Sequence, residues 1–183
     1  MVIEIIAPRP SPPYKCARMT PSQMFKEMSP ALGQRVLDEL ATADKDTYRV
    51  AVAAVAQAKK VRPVFLERQS RPDRHRSMAA ALARTDLTMI AGNVISGWLV
   101  KTQSALLTDF LNTLKIKNDN GVVEDLPKTV EDADLNSAVE LLLSKHPPEV
   151  VALYLHAFYA MNEAQWPNLE KMLGEDTRLM LGA

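Results

Sequence analysis

From Leu87 to Leu114 one apolar stripe keeps helical phase over 28 residues: Leu87, Ile90, Ala91, Val94, Ile95, Trp98, Leu99, Leu106, Leu107, Phe110, Leu111 and Leu114. Spacings of three and four put these side chains on one side of a helix. Unbroken, the element would be about 42 Å long at 1.5 Å per residue. A surface that apolar must be covered, and other helices are what covers it. The polar stretch Lys101–Ser104 falls in mid-pattern, so one rod and two helices are both open readings. The uncharged run Leu87 to Val100 is 14 residues, short of the roughly 20 that a bilayer span needs. The expectation is a soluble, cytoplasmic chain without a membrane partner.

Further helices are punctuated by their start signals. Thr20-Pro21-Ser22-Gln23 is a capping-box pattern, and Ser29-Pro30 repeats the Ser/Thr-Pro start. Asp44 precedes a run in which Tyr48, Ala51, Val52, Val55 and Ala58 share one face. Pro63 and Pro72 bracket a short segment, and a helix is expected from Asp73 to Arg84. Asp132 or Asp134 is the expected cap of a helix burying Leu135, Val139 and Leu142. Pro147-Pro148 stops it and starts another, and Trp166-Pro167 opens a last short helix with Gly174 as its C-terminal cap. Asn118-Asp119-Asn120-Gly121 reads as a turn and Gly121–Val130 as extended.

With 183 residues, 47% hydrophobic and 24% charged, the chain fits one domain with a real core. The fold class is all-α: a single helical domain, residues 19–183, of about six to eight helices, preceded by an extended Pro-rich arm, residues 1–18. Pro8, Pro10, Pro12 and Pro13 exclude regular structure there. Val2, Ile3, Ile5 and Ile6 would form a short strand needing a partner, either Gly121–Leu126 or a second molecule. Docking of this arm, for example in a homodimer with exchanged arms, is therefore expected. Cys16 is the only cysteine, so no intramolecular disulfide forms. Its place between Lys15 and Arg18 favours the thiolate, yet a lone cysteine in a Pro-rich tail is ordinarily incidental.

The formal net charge is zero, but it is unevenly spread. Residues 1–118 carry 18 Lys+Arg against 10 Asp+Glu, a net +8; residues 119–183 carry 4 against 12, a net −8. Either the halves neutralise each other within the fold, or one presents a charged surface to a partner. The densest basic run holds Lys59, Lys60, Arg62, Arg68, Arg71, Arg74 and Arg76 against Glu67 and Asp73. Such a cluster suits phosphate backbones. The run has few aromatics for stacking and no recognised nucleic-acid motif, so a solvated face is the bland reading.

Other constellations are weaker. His146, Glu149, His156 and Glu163 lie within reach of one helix face, but their spacing does not match the Glu-x-x-His pairs of di-iron bundles. No metal or cofactor is expected there; His146 reads as a loop residue and His156 as a semi-buried flank. Asn118–Gly121 has the wrong register for a calcium loop, lacking Glu at the twelfth position. Gly92 and Gly97, inside a strong helix pattern, point to close helix packing, with Gly92 and Ser96 on one face. No nucleophile elbow or phosphate loop occurs.

Three functions follow in order of support. The first is a non-catalytic protein–protein interaction or scaffold module, with protein, self or other, as partner. The second is nucleic-acid binding through residues 59–76. The third is a small-molecule or metal-dependent helical enzyme around His146–Glu163.

Overall fold

A computed structural model describes residues 18–162 and 165–182. Among these residues lie ten α-helices and no strand. They are α1 (Pro21–Glu27), α2 (Pro30–Ala43), α3 (Lys45–Ala58), α4 (Pro63–Glu67), α5 (Arg71–Leu82), α6 (Thr88–Thr102), α7 (Ser104–Thr113), α8 (Asp132–Lys145), α9 (Pro148–Met161) and α10 (Pro167–Glu175). Single 3-10 turns, Thr85–Leu87 and Thr177–Leu179, precede α6 and follow α10. The all-α class holds. The helix number exceeds six to eight because α4 is only five residues long and the Leu87–Leu114 pattern divides.

That division occurs at Gln103, whose backbone (φ −117°, ψ 26°) leaves the helical region. The hydrogen-bond ladder barely notices: Gln103 N–H still reaches Leu99 O at 2.9 Å, and Leu107 N–H reaches Gln103 O at 3.2 Å. The result is a kink rather than a loop, and the Thr102 hydroxyl, donating to Trp98 O at 2.7 Å, accompanies it. The stripe is covered throughout. Ile95, Trp98 and Phe110 are fully buried, and only Ile90 and Leu114 are half-buried.

Helix α6 is the axis of the bundle, packing on α1, α2, α3, α7 and α9. Its glycines allow the close approaches expected of them. A Cβ on Gly92 would touch Pro21 of α1 at 3.4 Å, and one on Gly97 would meet Leu40 and Asp44 at 3.4 Å. The Trp98 indole, buried at the α2–α6 contact, donates to Glu39 Oε2 at 2.7 Å, so its polar edge costs little. Burial pushes the Glu39 carboxyl up, but hydrogen bonds from Arg35 and Trp98 outweigh that and hold it below the usual range.

The capping signals at Thr20, Ser29 and Asp44 are realised: each side chain accepts a backbone N–H of its helix, and Thr20 and Gln23 form the full box. Others are not. Helix α8 starts after Glu131 with no side-chain cap, so neither Asp132 nor Asp134 plays that part. Gly174 lies inside α10, which ends at Glu175 with Asp176 as its C-terminal cap. Helix α5 begins at Arg71, capped by Ser70, two residues before the expected start. The segment 121–130 carries no strand; its pairing stops at one antiparallel bridge between Asp119 and Val122.

Two helices end on an unexpected residue. Lys60 and Lys115 occupy the left-handed region at φ 56° and 57°. After each, an N–H reaches back five residues: Val61 to Ala56 O at 2.9 Å and Ile116 to Leu111 O at 2.8 Å. This is a Schellman closure, ordinarily built on glycine. A lysine there accepts a steric penalty that glycine avoids.

Most ion pairs of the described residues stay within one half of the chain. Asp109 pairs across position 118, with Lys145 at 3.1 Å and His146 at 3.7 Å. Even there the basic partner belongs to the acidic half. The other pairs stay within one half, from Arg35–Glu39 to Arg178–Glu140. Helices α3 and α5 pack on each other, α2 and α6, while α8 packs on α7 and α9 and α10 packs on α9. The basic and acidic ends thus lie on either side of the bundle's middle. No helix among the described residues is long and apolar enough to cross a membrane.

Candidate functional site

The side chains of the basic run differ in what each touches. Arg71 pairs with Asp38 Oδ1 at 2.7 Å and donates to Asp38 O at 2.9 Å. Arg74 donates to Glu67 O at 3.2 Å, and Arg76 pairs with Asp73 at 3.1 Å. Lys59 reaches the Ser77 hydroxyl. These four are tied into the fold. Lys60, Arg62 and Arg68 are exposed and form no side-chain hydrogen bond or ion pair among the described residues.

These three free cations surround the connection from α3 to α4. Helix α4 has only one and a half turns, and Leu66 is the side chain it buries. Val61, Val64 and Phe65 are left 41%, 41% and 56% exposed. Pro63 starts the helix, and the left-handed turn at Lys60 sets the direction in which the chain leaves α3. The outcome is a corner in which apolar and cationic side chains alternate: Lys60, Val61, Arg62, Val64, Phe65, Arg68. Sequence reading found the cations and missed Phe65 as an exposed partner. The signal was the brevity of the Pro-bounded segment, too short to bury two faces.

Behind the corner lies a buried polar centre that charge counting concealed. His75, fully buried, joins three helices. Its Nε2 lies 2.8 Å from the Tyr48 hydroxyl on α3, and its Nδ1 lies 3.0 Å from Asp38 Oδ1 on α2, short of hydrogen-bond alignment. Burial lowers the His75 pKa and outweighs the pull of Asp38; Arg74 and Arg71 lower it further. Burial likewise raises the Tyr48 phenol. With His75 neutral, the group works as a cross-link between α2, α3 and α5. His75, Met78 and Leu82 share helical phase on the buried side of α5, which was the available sign that this histidine belongs to the core.

The residues considered for a metal are occupied separately. Glu149 accepts from Ser29 N–H and hydroxyl. His156 donates from Nε2 to Leu179 O at 3.1 Å, and burial lowers its pKa although that bond acts the other way. His146 faces Asp109. No grouping of three His, Cys, Asp or Glu side chains able to hold a metal occurs among the described residues. Glu163, Cys16 and the arm residues Val2, Ile3, Ile5 and Ile6 lie outside the described residues. No protein-family model matches the chain, and neither a curated protein nor a solved structure does.

Proposed function

We propose that this protein is a non-catalytic docking module whose α3–α4 corner binds an acidic, amphipathic segment of a protein partner. One observation carries the reading: the exposed trio Val61, Val64 and Phe65 is interleaved with Lys60, Arg62 and Arg68, which have no counter-charge of their own among the described residues. The apolar trio supplies anchors, and desolvated contact with such anchors is where interface energy concentrates. The cations steer and orient a negative partner more than they add affinity. Single-stranded nucleic acid is the second reading, because Phe65 beside Arg62 and Arg68 is also a small stacking platform. The apolar Val61 and Val64 favour a protein segment.

The test measures binding of three probes by fluorescence anisotropy. These are a peptide of alternating Asp/Glu and Leu/Phe, a polyglutamate of equal charge, and an oligothymidylate. The amphipathic peptide is expected to bind best. Phe65→Ala and the pair Arg62→Glu, Arg68→Glu should each weaken it about tenfold with the melting temperature preserved. Tightest binding by oligothymidylate, with log affinity falling linearly in log salt, would install the nucleic-acid reading instead. Absence of binding by the peptide removes the proposal.

A further inference from the structure

A second feature, sharing no residue with the α3–α4 corner, is a crevice of about 270 Å³ between α6, α7, α9 and the turn at 118–123. We propose that it is a binding site for a small, largely apolar molecule carrying one hydroxyl or carbonyl group, which the Tyr154 hydroxyl engages.

The walls are mainly apolar: Leu99, Leu107, Leu111, Ala157, Phe158 and Met161. Three polar side chains join them, and two are already committed. The Ser96 hydroxyl points to Met161 Sδ at 3.4 Å, and Asn162 donates to Phe158 O at 2.9 Å. Tyr154 is different. It is only 3% exposed, and its hydroxyl has no hydrogen-bond partner among the described residues. Burial alone raises its phenol far above the ordinary tyrosine value, with no bond to offset it. The hydroxyl is not among the fully enclosed polar atoms left without a partner, so it keeps a small contact with solvent; a phenol so nearly buried is a ready hydrogen-bonding group for a ligand. The Tyr154 ring is fixed in place, edge-on against Phe110 with centroids 5.4 Å apart and tilted against Phe158 at 5.9 Å.

The dimensions limit the ligand. An apolar cavity of about 150 Å³ holds benzene, and drug-sized sites begin near 300 Å³. A single ring or a short chain with one polar end fits between these limits. A phenol both donates and accepts, so a carbonyl or a hydroxyl is equally served. Mainly apolar walls with a few polar side chains, here Ser96, Tyr154 and Asn162, are the composition of small-molecule sites in general. Val122 and Met161, both exposed, stand at its rim.

Benzyl alcohol and toluene differ by the group in question and serve as the probes. Titration of each is followed by the methyl resonance of Met161, with Met89, exposed and not part of the crevice, as control. Both probes should shift Met161 saturably and leave Met89 in place. Tyr154→Phe keeps the ring and its packing. It should weaken benzyl alcohol about fivefold, the value of one neutral hydrogen bond, and leave toluene unchanged. Equal affinity of wild type and Tyr154→Phe for benzyl alcohol, or a Met161 resonance unmoved by either probe, overturns the proposal. The melting temperature of Tyr154→Phe should equal or exceed that of wild type; a fall would mean the hydroxyl already has a partner, and would overturn it as well.

Discussion

Glu149 holds Ser29 with both carboxylate oxygens: Oε1 accepts the backbone N–H at 2.6 Å and Oε2 accepts the hydroxyl at 2.8 Å, across 120 residues of sequence. Ser29 meanwhile caps α2, its Oγ accepting Leu32 N–H at 3.1 Å. The first turn of α9 is thereby fastened to the start of α2. Hydrogen bonds to charged groups contribute about 1.5–3 kcal/mol. Glu149→Ala should cost about 2 kcal/mol in urea unfolding and lower the melting temperature by about 4–8 °C. Ser29→Ala should lose a similar amount, and the double variant should lose less than the sum.

Acid should weaken the fold before any carboxylate titrates. His75 and His156 both have folded pKa values below the ordinary 6.5, chiefly from burial. In that situation the unfolded chain binds more protons than the folded one between the two pKa values. The stability contributed by the neutral imidazoles is complete above about 6.5 and is lost as pH falls toward the folded values. Urea midpoints should therefore decline between pH 7.5 and 5.5. His156→Gln, which keeps a donor for Leu179 O, should flatten part of that decline. A midpoint constant across this interval would contradict the burial of both rings.

Lys115 offers a stabilising substitution. A left-handed residue costs an L-amino acid roughly 1–2 kcal/mol, and glycine escapes that penalty at some cost in chain entropy. Lys115→Gly should raise stability by about 1 kcal/mol, read as a gain of about 2–4 °C in melting temperature. Lys115→Ala retains the Cβ and should show no such gain.

Gly121 is the opposite case. Its φ is 87°, and a Cβ there would collide with the Cβ of Leu107 on α7. Gly121→Ala should cost about 2 kcal/mol from backbone strain and the clash together. Because Gly121 and Leu107 both border the Tyr154 crevice, the same variant should also displace the Met161 methyl resonance.

Periodicity and capping residues revealed the bundle and most helix starts, since those signals are local. The Leu87–Leu114 stripe, the Thr20 box and the Ser29 and Asp44 caps all operate within a few residues. Helix ends were less legible. Lys60 and Lys115 close helices in a conformation that marks glycine, and nothing in a lysine signals it. Sites were least legible of all. His75 sits in a basic run yet faces Tyr48 and Asp38, which lie on two other helices. Phe65 is bare because α4 is short, and Tyr154 is unpartnered because of what α6 and α7 place around it. Each of these is a relation between distant segments, fixed only when the helices pack.

The uneven halves give a molecule of zero net charge a direction. With +8 in residues 1–118, −8 in residues 119–183, and most ion pairs of the described residues lying within one half, the chain is an electric dipole. A uniform field exerts torque on it without net pull, and a charged neighbour turns it before contact. Such a body is least soluble in pure water, where opposite poles of separate molecules attract undamped. Modest salt, with a screening length of about 10 Å at 0.1 M, should dissolve it further.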